Sequence, residues 1–345
     1  MNPKSHKLHQ LRHRRDAFAS LDPKVWWEDG IIKATVVAEP QVVVDVLRRP
    51  DSSLPDWNYF VGGAERVLGR RLEHLREASE FMPVLMHNEA HAKARKSLAI
   101  YLANRLQALE PGLPSIAGDA AARMLAGSTV DLFAEVVRPV VLKVGSVLID
   151  ADMPPDFLDR ELSGVFPGSK SPSEFARIND DFGHVFAFLK PRCGSSEELA
   201  NKLCCLTFGI DSLTMLLIES IITAIDEAGE ARAIKLPDYP VETGVPVTSR
   251  YVKSDFEIDG GKFPAGTSVR LQMQSLGYSN ENVHQQAIFG AGAHVCVGKQ
   301  ITLRLWTQFA KAINELELKG RIVSYELRKS MYVCLYKSVK VELWR

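Results

Sequence analysis

The residues best able to do chemistry in this chain of 345 residues are its five cysteines: Cys193, Cys204, Cys205, Cys296 and Cys334. Their number is odd and no two are spaced as Cys-x-x-Cys, so neither a disulfide framework nor a zinc site is expected. Cys204 and Cys205 adjoin each other in an apolar helical stretch, where thiols are ordinarily buried and inert. Cys296 stands apart. It lies in Phe289-Gly290-Ala291-Gly292-Ala293-His294-Val295-Cys296-Val297-Gly298, directly ahead of a predicted helix. Glycines at 290, 292 and 298 permit tight turns that bring amide N–H groups close to sulfur. The positive end of the following helix favours thiolate over thiol. A lone Cys-x-Gly would read as a turn around a buried cysteine; the whole segment reads as a thiolate cradle.

The segment resembles the signature Phe-Gly-x-Gly-x-His-x-Cys-x-Gly of the cytochromes P450. That resemblance implies haem b as cofactor, with Cys296 as the axial sulfur ligand. Such a thiolate donates electron density that assists O–O cleavage, and amide hydrogen bonds to the sulfur tune its potential. Phe289, Gly290, His294 and Gly298 are then cofactor-binding residues. His91-Ala92-Lys93-Ala94-Arg95 resembles the family's His-x-x-x-Arg segment, whose spacing of four puts both side chains on one helix face. Arg250, in Thr248-Ser249-Arg250, resembles the propionate-binding arginine at the start of the β region. With His294 these make four donors for the two haem carboxylates.

Phe208-Gly209-Ile210-Asp211-Ser212 resembles the family's Ala/Gly-Gly-x-Asp/Glu-Thr on the helix over the distal haem face. Phe208 and Gly209 would lie along the cofactor, and Asp211 with Ser212 would relay protons, which is general-acid work. Gly209 weakens the helix locally. A hydroxyl at 212 that bonds back to an upstream carbonyl would open a groove for water. Ser212 replaces the more frequent threonine. Phe208 stands where alanine or glycine is usual; its ring would cover part of the distal face and favour a small or flat substrate.

Two features depart from the family. Its helical Glu-x-x-Arg motif belongs shortly before Arg250, where this chain has Pro237-Asp238-Tyr239-Pro240. Two prolines three residues apart are incompatible with a regular helix. The motif's customary arginine partner is missing as well, since Tyr278 to Ile288 contains no arginine. The region between Asp152 and the distal helix, which forms the family's mobile roof, also looks short.

The elements that must position these residues follow from periodicity. A strand is expected over 31–37 and an amphipathic helix over Gln41–Arg49. Long helices are expected over Glu89–Ala126, and a further apolar helix over Val130–Leu148 with Pro139 inside it. Pro154-Pro155 marks a boundary, and residues 156–190 read as helices broken by the loop Pro167–Pro172. Ser195-Ser196-Glu197-Glu198 has the form of a helix start, and its pattern runs to Glu227, interrupted only by Gly209. Short strands follow over Val245–Arg250, Asp255–Ile258 and Thr267–Gln272, then a helix from Cys296 to about Leu316 and a C-terminal hairpin. The expected fold class is mainly α with a smaller β portion: a cytochrome P450 fold with contracted roof and pre-haem segments. Residues 1–29 read as a basic arm and lead-in, and 30–345 as a single domain.

Lys and Arg number 42, as do Asp and Glu. This balance gives no electrostatic reason to expect nucleic acid or an anionic membrane as partner. No apolar run follows the basic first residues, and no stretch approaches the uninterrupted apolar length that spans a bilayer. A cytoplasmic protein is expected. The resemblance implies a monooxygenase acting on a small organic substrate, of secondary-metabolite type. With no flavin or iron–sulfur segment in the chain, electrons would come from an external ferredoxin- or flavodoxin-type partner. A carrier-protein-tethered substrate is compatible with this. The alternatives are a haem-dependent peroxygenase, dehydratase or isomerase, or a non-enzymatic haem-binding protein.

Overall fold

A computed structural model describes residues 27–29, 34–54, 57–86, 88–160, 162–165, 170–279, 281–327 and 336–345. The expected basic arm, the start of the first strand, the first half of the loop 167–172 and Cys334 lie outside them. The chain divides into two compact units, one formed by residues to Pro55 with Val241–Cys296, the other by Asp56–Pro240 with Val297–Arg345.

The first unit is built on a five-stranded sheet. Its strands are β1 (Trp27–Asp29), β2 (Ala34–Val37), β3 (Ser52–Ser53), β4 (Val247–Val252) and β7 (Ser268–Gln272), in the order β1-β2-β7-β4-β3, where β5 and β6 are Phe256–Ile258 and Gly261–Phe263. Only the β2–β7 pair is parallel. Strand β4 starts two residues later than the expected Val245, because Pro246 has no N–H for the ladder. β5 and β6 form a separate hairpin. Its turn residues, Asp259 and Gly260, have φ of 47° and 77°, the conformation that suits a two-residue turn to strand twist. Helix α1 (Pro40–Arg48) begins at a proline, and the Glu39 carboxylate accepts from Val42 N–H at 2.6 Å. Its face of Val43, Val44, Val46 and Leu47 is buried.

The second unit holds most of the helix. Helices α2 (Trp57–Leu68) and α3 (Glu73–Phe81) lie against α7 (Pro172–Leu189). The contact includes Trp57 on Phe175, with centroids 5.9 Å apart, and the Leu75 N–H donating to buried Asn179 Oδ1 at 3.1 Å. Between them run α4 (Asn88–Leu109), α5 (Leu113–Met124) and α6 (Arg138–Ile149). The expected helix over Val130–Leu148 is corrected at its start. Thr129–Asp131 is a strand paired with Tyr336–Trp344, and a π turn, Leu132–Val137, follows it. β-Branched Thr129 and Val130 suit the strand. The Asp131 carboxylate then accepts from the N–H groups of Phe133 and Ala134, both at 3.0 Å, so the helical run cannot begin earlier.

The expected helix start at Ser195 is present: Ser195 Oγ accepts from Glu198 N–H at 3.1 Å at the head of α8 (Ser196–Cys204). A π turn, Cys205–Ile210, and α9 (Asp211–Ala228) continue it. This 33-residue run is long and apolar enough to cross a membrane by length and composition, which corrects the expectation that no such stretch exists. Its most apolar window is 83% buried inside the protein, as befits a core helix. Helix α10 (Lys299–Asn314) packs on α5, and strand Lys319–Leu327 pairs with Tyr336–Trp344 as the expected C-terminal hairpin.

Candidate functional site

The cysteine loop is a compact knot within the first unit. Cys296 N–H donates to Phe289 O at 2.7 Å and Val295 N–H to Gly292 O at 3.3 Å, closing a 3₁₀ turn at Gly292–His294. Gly290 and Gly292 have φ of 81° and 66°. A Cβ on Gly292 would stand 2.8 Å from Leu47 O and 3.0 Å from Arg48 Cα. The loop is therefore pressed onto the last turn of α1, and glycine is required for space as well as for backbone sign. Gly292→Ala should destabilise the unit by about 1–3 kcal/mol. The measurement is chemical denaturation of the apoprotein; unchanged stability would mean the loop can lift from α1. Cys296 itself is exposed. Helix α10 begins at Lys299, with Gly298 in the N-cap position at φ −81°.

The other cysteines have different surroundings. Cys204 and Cys205 are buried. Desolvation holds both thiols protonated, pushing Cys205 up to about 12 and Cys204 higher. Burial also raises Cys193.

Arg250 shares the first unit with this loop. Strand alternation turns it to the buried face of β4 with Val252, while Tyr251 between them is exposed. It is 4% exposed and bonds only to neutral acceptors, Thr248 Oγ1 at 3.2 Å and Ser249 O at 2.9 Å. No described carboxylate pairs with it, and desolvation pulls its pKa down to about 10. A buried cation without a counter-ion is costly, so this position fits an anionic group brought by a cofactor. His294 lies in the 3₁₀ turn of the loop and Phe289, half-buried, at its entrance. The residues present thus fit a haem carried by a cysteine thiolate with at least one carboxylate on Arg250.

Other residues of this unit, not foreseen from sequence, brace the loop. Buried His284 meets Ser279 Oγ at 2.6 Å and Gln41 Oε1 at 3.1 Å, tying the segment before the loop to α1. Buried Glu242 accepts from Tyr278 O–H at 2.6 Å, and Thr243 Oγ1 donates to Ile288 O at 3.4 Å. A Cβ on Gly277 would collide with Val241 O. The segment 231–246 contains no helix or strand.

The second unit carries His91, Arg95 and the distal residues. His91 and Arg95 are half-buried on α4, one turn apart. Phe208 and Gly209 belong to the π turn and Asp211 opens α9. The neighbours Asp211 and Ser212 face different surroundings: Asp211 is 5% exposed and accepts from Ser163 N–H at 3.3 Å, whereas Ser212 is half-buried. Among the described residues Ser212 makes no bond to an upstream carbonyl, contrary to expectation. The helix is loosened instead by the π turn ending at Ile210, whose wider spacing accommodates an extra residue. Thr214, not Ser212, bonds back, to Ile210 O at 2.8 Å.

No protein-family model and no curated protein matches the sequence. Solved structures do match in fold. PksS, a cytochrome P450 of the bacillaene polyketide synthase of Bacillus subtilis 168, is 15% identical and superposes with a TM-score of 0.73, over 100% of this chain and 99% of that one. A mutant of P450 EryK in complex with erythromycin B is 18% identical with a TM-score of 0.70, covering 97% and 96%. P450BioI in complex with hexadec-9Z-enoic acid ligated acyl carrier protein is 13% identical with a TM-score of 0.69, covering 98% and 99%. The chain is thus mainly helical with a smaller β portion, and over nearly its whole length it has the cytochrome P450 fold.

Proposed function

We propose that the protein is a haem b-dependent, thiolate-ligated monooxygenase that inserts one oxygen atom from O2 into a small organic substrate of secondary-metabolite type. The observation that carries this reading is Arg250, a buried guanidinium without a described counter-ion in the same unit as the Cys296 loop. In this reading Cys296 would supply the thiolate ligand, and Arg250, His294, His91 and Arg95 would hold the propionates. Phe289, Gly290 and Gly298 shape the cofactor's proximal surroundings. Haem, when bound, would supply dioxygen binding and activation, with O2 as the oxidant. Asp211 holds a proton at its carboxylate for delivery to the distal side, and Ser212 passes it on. Phe208 and Gly209 border the substrate space, the ring restricting it to small or flat molecules.

Electrons come from an external ferredoxin- or flavodoxin-type partner in the cytoplasm. A substrate tethered to a carrier protein is compatible with this reading, since P450BioI has been crystallised with a loaded acyl carrier protein. Neither nucleic acid nor membrane is proposed as a partner.

The test is turnover of candidate substrates under 18O2 with ferredoxin, its reductase and NADPH. One labelled oxygen per product is expected. Asp211→Asn should slow this turnover about 100-fold or more while leaving the substrate-induced spectral shift in place. Product formed only with hydrogen peroxide would make the protein a peroxygenase. Redox-neutral product without a donor would make it a dehydratase or isomerase, and no product with haem intact would make it a binding protein.

A further inference from the structure

Two buried hydroxyls near Asp211 have no hydrogen-bond partner among the described residues: Ser163 Oγ and Thr207 Oγ1. Ser163 is 3% exposed and Thr207 0%. Thr207 lies four residues before Asp211 in the π turn, so the two share a side of the helix. Ser163 sits in the 3₁₀ turn Leu162–Val165, which packs against Cys205–Ile210. Its backbone N–H is already bonded to Asp211 Oδ2.

Two buried hydroxyls further along this helix do not share that condition. Thr214 donates to Ile210 O at 2.8 Å and Ser220 to Leu216 O at 2.6 Å, each reaching back four residues. That is the ordinary way a helical hydroxyl is satisfied in an apolar interior. Thr207, inside the π turn, has no such bond. A buried hydroxyl left unbonded is unfavourable, and two on segments packed against each other are not expected in a stable core. Together the three groups offer the two to four polar partners that an internal water requires.

We propose that Ser163, Thr207 and Asp211 bind an ordered internal water. The hydroxyls of Ser163 and Thr207 fix the water, and the water hydrogen-bonds the Asp211 carboxylate. Ser163 and Thr207 are then positioning residues for the proton held by Asp211, a role that rests on the monooxygenase reading. The water site itself does not depend on haem.

The experiment uses Ser163→Ala and Thr207→Val, which remove each hydroxyl with little change in size. High-resolution crystallography of the wild-type protein should show a water within hydrogen-bond distance of all three side chains, and each variant should lose it or leave it poorly ordered. The sign of the stability change gives a second readout. An unbonded hydroxyl is a defect, so its removal would raise the melting temperature; a hydroxyl that holds water should lower it by a few degrees when removed. Absence of the water from wild type, or a rise in melting temperature in both variants, overturns the site. For the positioning role, the solvent deuterium isotope effect on donor-supported turnover should change in both variants while substrate affinity stays within about twofold. An unchanged isotope effect overturns that role. If the protein instead fails to take up haem, the monooxygenase reading falls, while the density and the melting temperature still decide the water site.

Discussion

Replacing Arg250 with methionine is expected to stabilise the apoprotein and to weaken its haem binding, two effects of opposite sign from one substitution. Burial pulls the guanidinium pKa down to about 10, and no described acid offsets that desolvation. The penalty is on the order of 3 kcal/mol. Methionine fills similar space without a charge. Part of the gain is offset because the bonds to Thr248 Oγ1 and Ser249 O are lost, so a net gain of about 1–2 kcal/mol is expected. The pH dependence has a defined sign. An arginine whose folded pKa is depressed binds fewer protons in the folded than in the unfolded state between about pH 10 and its unfolded value. The penalty is therefore fully present below about pH 10 and is relieved as pH rises through it. The wild-type apoprotein should gain stability over that range and the methionine variant should not. A propionate on Arg250 supplies the missing counter-ion through a charge-assisted bond of about 1.5–3 kcal/mol, so haem affinity should fall about 10- to 100-fold. Melting of both apoproteins and haem titration measure the two effects. Unaltered haem affinity would remove Arg250 from the cofactor site.

Cys296→Ala should abolish the red-shifted Soret band that thiolate-ligated haem gives when the reduced protein binds carbon monoxide. Conservative replacement of Cys193, Cys204 or Cys205 should leave that band in place. The contrast is electrostatic and steric. Only a thiolate ligates, and desolvation pushes the buried Cys205 thiol up to about 12, which keeps it protonated at pH 7. Cys204 is held still more firmly protonated. Cys296 lies exposed beyond a turn made by two glycines with positive φ. Because it is exposed, its loss should change apoprotein stability by no more than about 0.5 kcal/mol, which separates ligation from folding. Retention of the band in Cys296→Ala would refute the assignment.

Whatever depends on neighbouring residues is readable along the chain. Ser195 ahead of two glutamates starts α8, Pro40 and Glu39 start α1, and Asp259-Gly260 turns the β5–β6 hairpin. Each is a local backbone preference that needs no distant partner. The cysteine loop was legible for the same reason, since its glycines and cysteine lie within ten residues of one another. Strand 129–131 was not legible. Val130 continues an apolar helical pattern in the sequence, and only its pairing with Val341, more than two hundred residues away, makes it a strand. Nor did periodicity reveal that the helix around Gly209 widens into a π turn rather than breaking, or that Thr214 bonds back in place of Ser212.

The site divides along the same line. Residue types and spacing picked out Cys296, Arg250 and Asp211; their surroundings came only from the tertiary structure. Strand alternation turned Arg250 inward, away from described carboxylates, and the last turn of α1 came to lie against Gly292. A 3₁₀ turn 48 residues upstream in the chain delivered the Ser163 N–H to Asp211. Burial and hydrogen bonding depend on which distant segments meet, a property of three-dimensional packing that no local window of sequence contains.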